Sequence, residues 1–125
     1  MVGENMANIA INSYFHPFRL SLKSREPVRL TVEIENKSQE AKMTSLSISL
    51  PRTELAFDKS GLSTEIVKRL PQFKPGERLV YYFDVHPKHL TTPGEHEVKL
   101  VVREHFQSFD LVEKESKVRS SLTVI

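Results

Sequence analysis

The sequence predicts an all-β domain built as a sandwich of two sheets, on three observations. Apolar and polar residues alternate one by one in segment after segment, most cleanly where Val28, Leu30, Val32 and Ile34 interleave with Arg29, Thr31, Glu33 and Glu35. Turn formers punctuate these segments, above all the pairs Pro75-Gly76 and Pro93-Gly94. No stretch of useful length carries the apolar stripe of an amphipathic helix.

The run KPGERLVYYFDV, residues 74–85, carries the pattern at full strength. Pro75 presets φ at the second position of a turn, and Gly76 supplies the positive φ that a type II turn needs next. Leu79, Tyr81, Phe83 and Val85 then point one way, Arg78 and Asp84 the other. Such a strand is apolar enough for the centre of a sheet.

Taken in order, residues 1–14 read as a flexible tail or an added edge strand, and residues 15–125 as the domain. Strand A follows from Phe18, Leu20 and Leu22 alternating with Arg19, Ser21 and Lys23. Residues 24–27 turn, and Pro27 is tolerable where a strand begins. Strand B is the Val28–Glu35 alternation, and the polar residues 36–40 turn again. In strand C, Leu46, Ile48 and Leu50 face in, Ser45, Ser47 and Ser49 face out, and Pro51 stops it. Residues 52–64 form a long connection. Residues 65–70, bounded by Pro71, are a strand D or a single helical turn, since Ile66 and Leu70 suit either period.

Strand E launches from Gly76 and ends at Pro87. Strand F launches from Gly94, with His96, Val98, Leu100 and Val102 inward. Residues 104–117 read as a polar hairpin or loop holding Phe106, Phe109, Leu111 and Val112. Strand G closes the chain with Val118, Leu122 and Val124 inward. About seven strands separated by turn signals predict an immunoglobulin-like β-sandwich of antiparallel strands in two sheets; a Greek-key or up-and-down barrel satisfies the same periodicity.

Composition removes whole classes of chemistry. There is no cysteine, hence no disulfide, thiolate metal site or cysteine nucleophile, and no tryptophan to pack an antibody-like core. Glycine stands only at positions 3, 61, 76 and 94, which cannot spell a dinucleotide fingerprint, a P-loop or a nucleophile elbow. Lys and Arg total 18 against 16 Asp and Glu, scattered without a basic cluster, so no nucleic-acid partner is expected. The amino terminus lacks the pattern of a signal peptide and no stretch is long enough for a membrane span. The chain as given is therefore expected in the cytoplasm without membrane insertion; as part of a longer chain it would suit the cell envelope or exterior.

The run VRLTVEIENKS, residues 28–38, resembles a strand and its following Asn-X-Ser turn in CARDB-type domains, immunoglobulin-like modules of bacterial and archaeal proteins. LPQFKPGERLVYYFDV and TTPGEHEVKLVV are similar to that family's later strands, each opened by Pro-Gly, so the likeness spans roughly residues 17–103. His96 stands where such domains often carry a tyrosine. The resemblance implies a non-catalytic module for adhesion, scaffolding or spacing.

No nucleophile, base and orienting group can be assembled, so an enzyme is not expected, nor is a cofactor. His86, His89 and His96 are the candidate metal ligands, but without a carboxylate in register they read as surface histidines and no metal is assigned. Two features suit a protein partner, which could be another protein or a second copy. Val80 and Tyr82 lie on the outward face of strand E, as an exposed patch or under a covering loop or tail. Phe106 and Phe109 sit between strands F and G, as a binding tip or as a plug for the open end of the core. The functional expectation is a protein-interaction or spacer module. The alternative is a carbohydrate- or envelope-associated accessory module, which requires an exposed aromatic platform including Tyr14 or Tyr82.

Overall fold

The computed structural model describes residues 8–125. Its strands are β1 (Ile9–His16), β2 (Arg19–Leu20), β3 (Val28–Asn36), β4 (Lys42–Ser49), β5 (Leu55–Ala56), β6 (Glu65–Phe73), β7 (Arg78–Pro87), β8 (Gly94–Phe106) and β9 (Ser108–Val124). One sheet has the order β1-β3-β7-β5 and the other β2-β9-β8-β4-β6. These are two separate sheets rather than a closed barrel, and the architecture is an immunoglobulin-like sandwich. Its long strands pair antiparallel; the short β2 runs parallel to the end of β9.

The core forms where the alternation predicts it. Leu30, Val32 and Ile34 from β3 meet Leu46 and Ile48 from β4, Val98, Leu100 and Val102 from β8, and Leu122 from β9. Every one is buried, and such burial stabilises by roughly 1.5–3 kcal/mol per large aliphatic side chain.

Strand A and β7 differ from the sequence expectation, and three further segments take one of the alternatives it left open. The first seven residues of the expected tail lie outside the described residues, while Ile9–His16 is a full strand along β3, continuous across the boundary drawn between residues 14 and 15. Strand A is correspondingly shorter: only Arg19–Leu20 joins a ladder, and Phe18 is exposed rather than inward. The chain changes sheets between β1 and β2, and Phe18 falls in that crossing.

Residues 65–73 are a strand, with no helical turn, and it lies beside β4. It runs through Pro71 because it is an edge, where a missing N–H on the outer side costs no ladder bond. The segment 104–117 is a hairpin whose tip is Gln107 at φ 68°, formed by extensions of β8 and β9. Its charged sequence left hairpin and loop undecided because the hairpin has little core beneath it.

Lastly, β7 is an edge over residues 78–85. β5 pairs with it only at Leu55↔Pro87 and Ala56↔His86. Beyond Ala56 the chain turns toward the other sheet, with Phe57 packed edge-to-face on Phe83 at 5.8 Å. Leu79, Tyr81 and Phe83, inward as expected, are accordingly only half-buried.

Candidate functional site

The β7 edge has a definite hydrogen-bonding polarity. The Asn36 N–H donates to the Glu77 carbonyl at 3.0 Å, and the register runs without a slip to Val28↔Val85. The odd residues of β7 therefore bond to β3, and the main-chain groups of Arg78, Val80, Tyr82 and Asp84 face away from it. The β5 side agrees: Lys88 N–H donates to the Glu54 carbonyl at 3.2 Å, in line with Ala56↔His86, so even residues face that side. Among the described residues no backbone hydrogen bond meets the outward groups of residues 78–84.

The other edges are protected. β6 carries Pro71 and an inward-facing Lys68, whose Nζ lies 5.8 Å from the Tyr81 ring. β1 is an edge too, tied to β9 by a side-chain contact in which the Ser13 and Ser120 hydroxyls are 2.7 Å apart. Along β9 the edge is densely charged, with Glu113, Lys114, Glu115, Lys117 and Arg119. Prolines, charges and covering elements are what keep edges from pairing, and residues 78–85 have neither a proline nor an inward charge.

The outer face beside this edge carries the residues expected there. Val80 is 39% exposed and Tyr82 62%. No described loop covers either one. Tyr82 lies opposite Thr31, which in turn lies opposite Tyr14, so the two tyrosines flank Thr31 on one face and leave it buried. The Arg29 guanidinium sits 5.3 Å from the Tyr82 ring centre, and Arg78 pairs with Glu33. That ion pair raises the Arg78 pKa, first through the hydrogen bond and then through the carboxylate's charge.

The structure separates Phe106 from Phe109. Phe106 is 55% exposed at the hairpin tip. Between Phe106↔Ser108 and His105↔Val112 the β9 strand carries extra residues, and this bulge folds Phe109 back over the outer face of the five-stranded sheet. There its ring lies 5.0 Å from the His105 ring and 5.3 Å from the Arg69 guanidinium carbon. Phe109 thus covers the sheet from outside, and neither phenylalanine joins the core cluster.

Beneath Phe109 lies a contact that sequence reasoning missed. His105 Nε2 is 2.7 Å from the Ser45 hydroxyl, and the buried Nδ1 makes no hydrogen bond of normal geometry. Burial lowers the His105 pKa, Arg103 lowers it further, and the nearby backbone of Phe109 and Leu111 offsets part of this. Arg103 itself is held by Glu115 at 2.7 Å. Serine and histidine at this distance resemble a nucleophile and its base. However, among the described residues no carboxylate orients Nδ1, Ser45 is buried, and its strand is laddered on both sides, leaving no amide for an oxyanion. The pair is structural. Ser45 and His105 are far apart in sequence, and only the β4–β8 pairing, which sets Ser45 opposite Arg103 and so diagonal to His105 two residues on, brings them together on one face.

The other histidines do not converge. His86 and His89 line an open cavity of about 740 Å³ at one end of the sandwich, with Arg25, Glu26, Lys59 and Lys88. His96 instead braces the start of β8: its Nε2 lies 2.7 Å from the Thr92 carbonyl and 3.2 Å from a Glu54 carboxylate oxygen. Among the described residues no group of three or more His, Asp or Glu has a metal-binding arrangement. No described helix is long and apolar enough to cross a membrane.

No protein-family profile matches the chain, and no curated protein is similar to it in sequence. Solved structures are similar in fold. The native alpha-2-macroglobulin of Escherichia coli, from domain MG7 to the C-terminus, superposes with a TM-score of 0.69 at 16% identity; the match covers 95% of this chain but 17% of that one. A FixG-related protein from Vibrio parahaemolyticus gives 0.59 at 15% identity, covering 94% and 97%. The seventh ScaB type I cohesin of Pseudobacteroides cellulosolvens gives 0.53 at 13% identity, covering 92% of each chain. At these identities the likeness establishes the β-sandwich fold.

Proposed function

We propose that the chain is a non-catalytic protein-interaction module whose contact strand is β7, pairing with an extended segment of a protein. The observation that carries this is the row of outward main-chain groups on Arg78, Val80, Tyr82 and Asp84, beside the exposed Val80 and Tyr82 side chains. A strand added there gains backbone hydrogen bonds for affinity and side-chain contacts on one face for selectivity. It would also continue the line that β5 occupies only at Leu55 and Ala56. The pattern-level resemblance to CARDB-type modules supports a non-catalytic role.

Panning a displayed random-peptide library against the full chain tests this. Wild type is expected to enrich extended, alternating apolar–polar peptides. Val80→Pro removes an edge N–H without touching the ladder to β3, and is expected to lose them. Enrichment indifferent to that change, or no enrichment, overturns the reading.

The Tyr14–Thr31–Tyr82 row supports a second reading, a carbohydrate-binding or envelope-associated accessory module. Two exposed rings on one face, two strand spacings or roughly 10 Å apart, could take sugar rings. Tyr14 lies away from the β7 edge, so Tyr14→Ala should abolish binding on a glycan array if this reading holds and leave peptide capture unchanged.

A further inference from the structure

We propose that the strand completing this edge is β7 of a second copy of the chain, paired antiparallel about a two-fold axis at Tyr81. This rests on the reading of β7 as the contact strand and names its occupant.

The argument is one of register. Two antiparallel edges bond only where residues with outward main-chain groups stand opposite each other, which in β7 are Arg78, Val80, Tyr82 and Asp84. With the axis at Tyr81, Arg78 faces Asp84 of the other copy and Val80 faces its Tyr82. On the inner face Leu79 meets Phe83, and Tyr81 meets its own counterpart. Each outer pair occurs twice by symmetry, one joining opposite charges and one joining apolar surfaces that are exposed in the single chain.

Neighbouring registers lose this match. Moving the axis to Tyr82 sets Val80 against Asp84 and brings Arg78 to His86, whose outer side Ala56 of β5 already occupies. Moving it to Val80 leaves Asp84 opposite Gly76, where the chain has entered its turn at φ 76°. The Tyr81-centred register alone fills the open stretch between that turn and β5. It joins the two four-stranded sheets into one, and the inward-facing row of each continues into the other.

Sedimentation velocity on the full chain over a concentration series tests the proposal. Wild type is expected to shift from monomer to dimer as concentration rises. Asp84→Lys sets like charges against Arg78 twice per dimer and should raise the dissociation constant on the order of tenfold. The double reversal Arg78→Asp with Asp84→Arg restores the pairing and should recover the affinity. Val80→Pro should abolish the dimer, whereas Val67→Pro, on the outer side of β6, should leave it intact.

A chain that stays monomeric up to about 1 mM overturns self-pairing. If peptide capture by the monomer is still lost in Val80→Pro, β7 remains the contact strand and only the second copy is wrong. A dimer indifferent to Val80→Pro and to both charge variants overturns the proposed pairing, and peptide capture equally indifferent to Val80→Pro overturns the contact strand as well. Circular dichroism melts of each variant keep loss of pairing separate from loss of fold.

Discussion

Asn36 Nδ2 donates a 2.8 Å hydrogen bond to the Phe73 carbonyl, tying the end of β3 to the end of β6 in the other sheet. The same amide nitrogen donates to the Glu40 carbonyl at 2.9 Å, and its Oδ1 accepts from the Ser38 N–H at 2.9 Å and the Ser38 hydroxyl at 2.7 Å. Asn36 is fully buried, so one side chain closes the β3–β4 turn and fixes it to the opposite sheet.

Replacing Asn36 by alanine should therefore cost more than an ordinary turn substitution. It removes the buried donor shared by the Phe73 and Glu40 carbonyls and the acceptor of the Ser38 N–H, and a lost buried partner costs about 1–3 kcal/mol, so a loss of roughly 3 kcal/mol is expected in urea unfolding. Asn36→Asp should be at least as damaging near neutral pH, because it aims a carboxylate at the Phe73 and Glu40 carbonyls. Its deficit should shrink in acid as that carboxyl takes up a proton. A loss below about 1 kcal/mol for Asn36→Ala would show that the turn holds without the side chain.

The His105–Ser45 contact carries a pH signature. The His105 pKa in the folded chain lies below the ordinary value of 6.5, chiefly through burial. As pH falls, the unfolded chain takes up this proton before the folded one does. The contribution to stability is thus complete above the unfolded value and is lost as pH falls through the folded one. Thermal melts between about pH 7.5 and 5 should show a decline that is smaller in His105→Gln. Equal slopes for both proteins would remove His105 as its source.

Ser45→Ala tests the same contact at fixed pH. It leaves both ring nitrogens of His105 without a partner under Phe109, and about 1–3 kcal/mol of destabilisation is expected. Ser49→Ala, on the same face but half-buried, should stay within about 0.5 kcal/mol.

Phe106 and Phe109 should separate in stability. Phe106→Ser removes an exposed tip residue and is expected to leave the melting temperature nearly unchanged. Phe109→Ser removes the ring between His105 and Arg69, where aromatic and cation–π contacts contribute about 0.5–1.5 kcal/mol each, so a loss of roughly 1–3 kcal/mol is expected. Identical melting temperatures for the two variants would mean that the bulge does not hold Phe109 on the sheet.

What was legible in the sequence follows how much burial each strand receives. β3, β4 and the first half of β8 lie inside their sheets, and one-sided burial wrote a clean alternation into them. β1 was harder to read because Ser13 occupies an inward position against Ser120, which breaks the apolar series. The hairpin extension was harder still: Glu115 and Lys117 are held by the β8 ladder and by ion pairs, which leave no periodic trace. The β7 sequence misled in the other direction. Its apolar series is that of an interior strand, yet β5 departs after Ala56 and leaves it at an edge. The candidate side chains Val80 and Tyr82 could be placed from alternation, but the outward main-chain groups beside them depend on pairing parity, which no residue type encodes.

That parity makes a prediction independent of any partner. Proline at an even position of β7 removes an N–H that points away from β3; at an odd position it removes a bond of the ladder. Val80→Pro should then cost little in thermal stability, since prolines are tolerated on the outer side of edge strands. Tyr81→Pro, one residue on, loses its hydrogen bond to Val32 and a half-buried ring, and a deficit of about 3 kcal/mol or more is expected. Because the two substitutions share a strand and backbone constraint, their difference reports which way each N–H points. If Val80→Pro unfolds the chain as readily as Tyr81→Pro, the outer side of β7 is already bonded within the molecule, and the edge it presents to a partner does not exist.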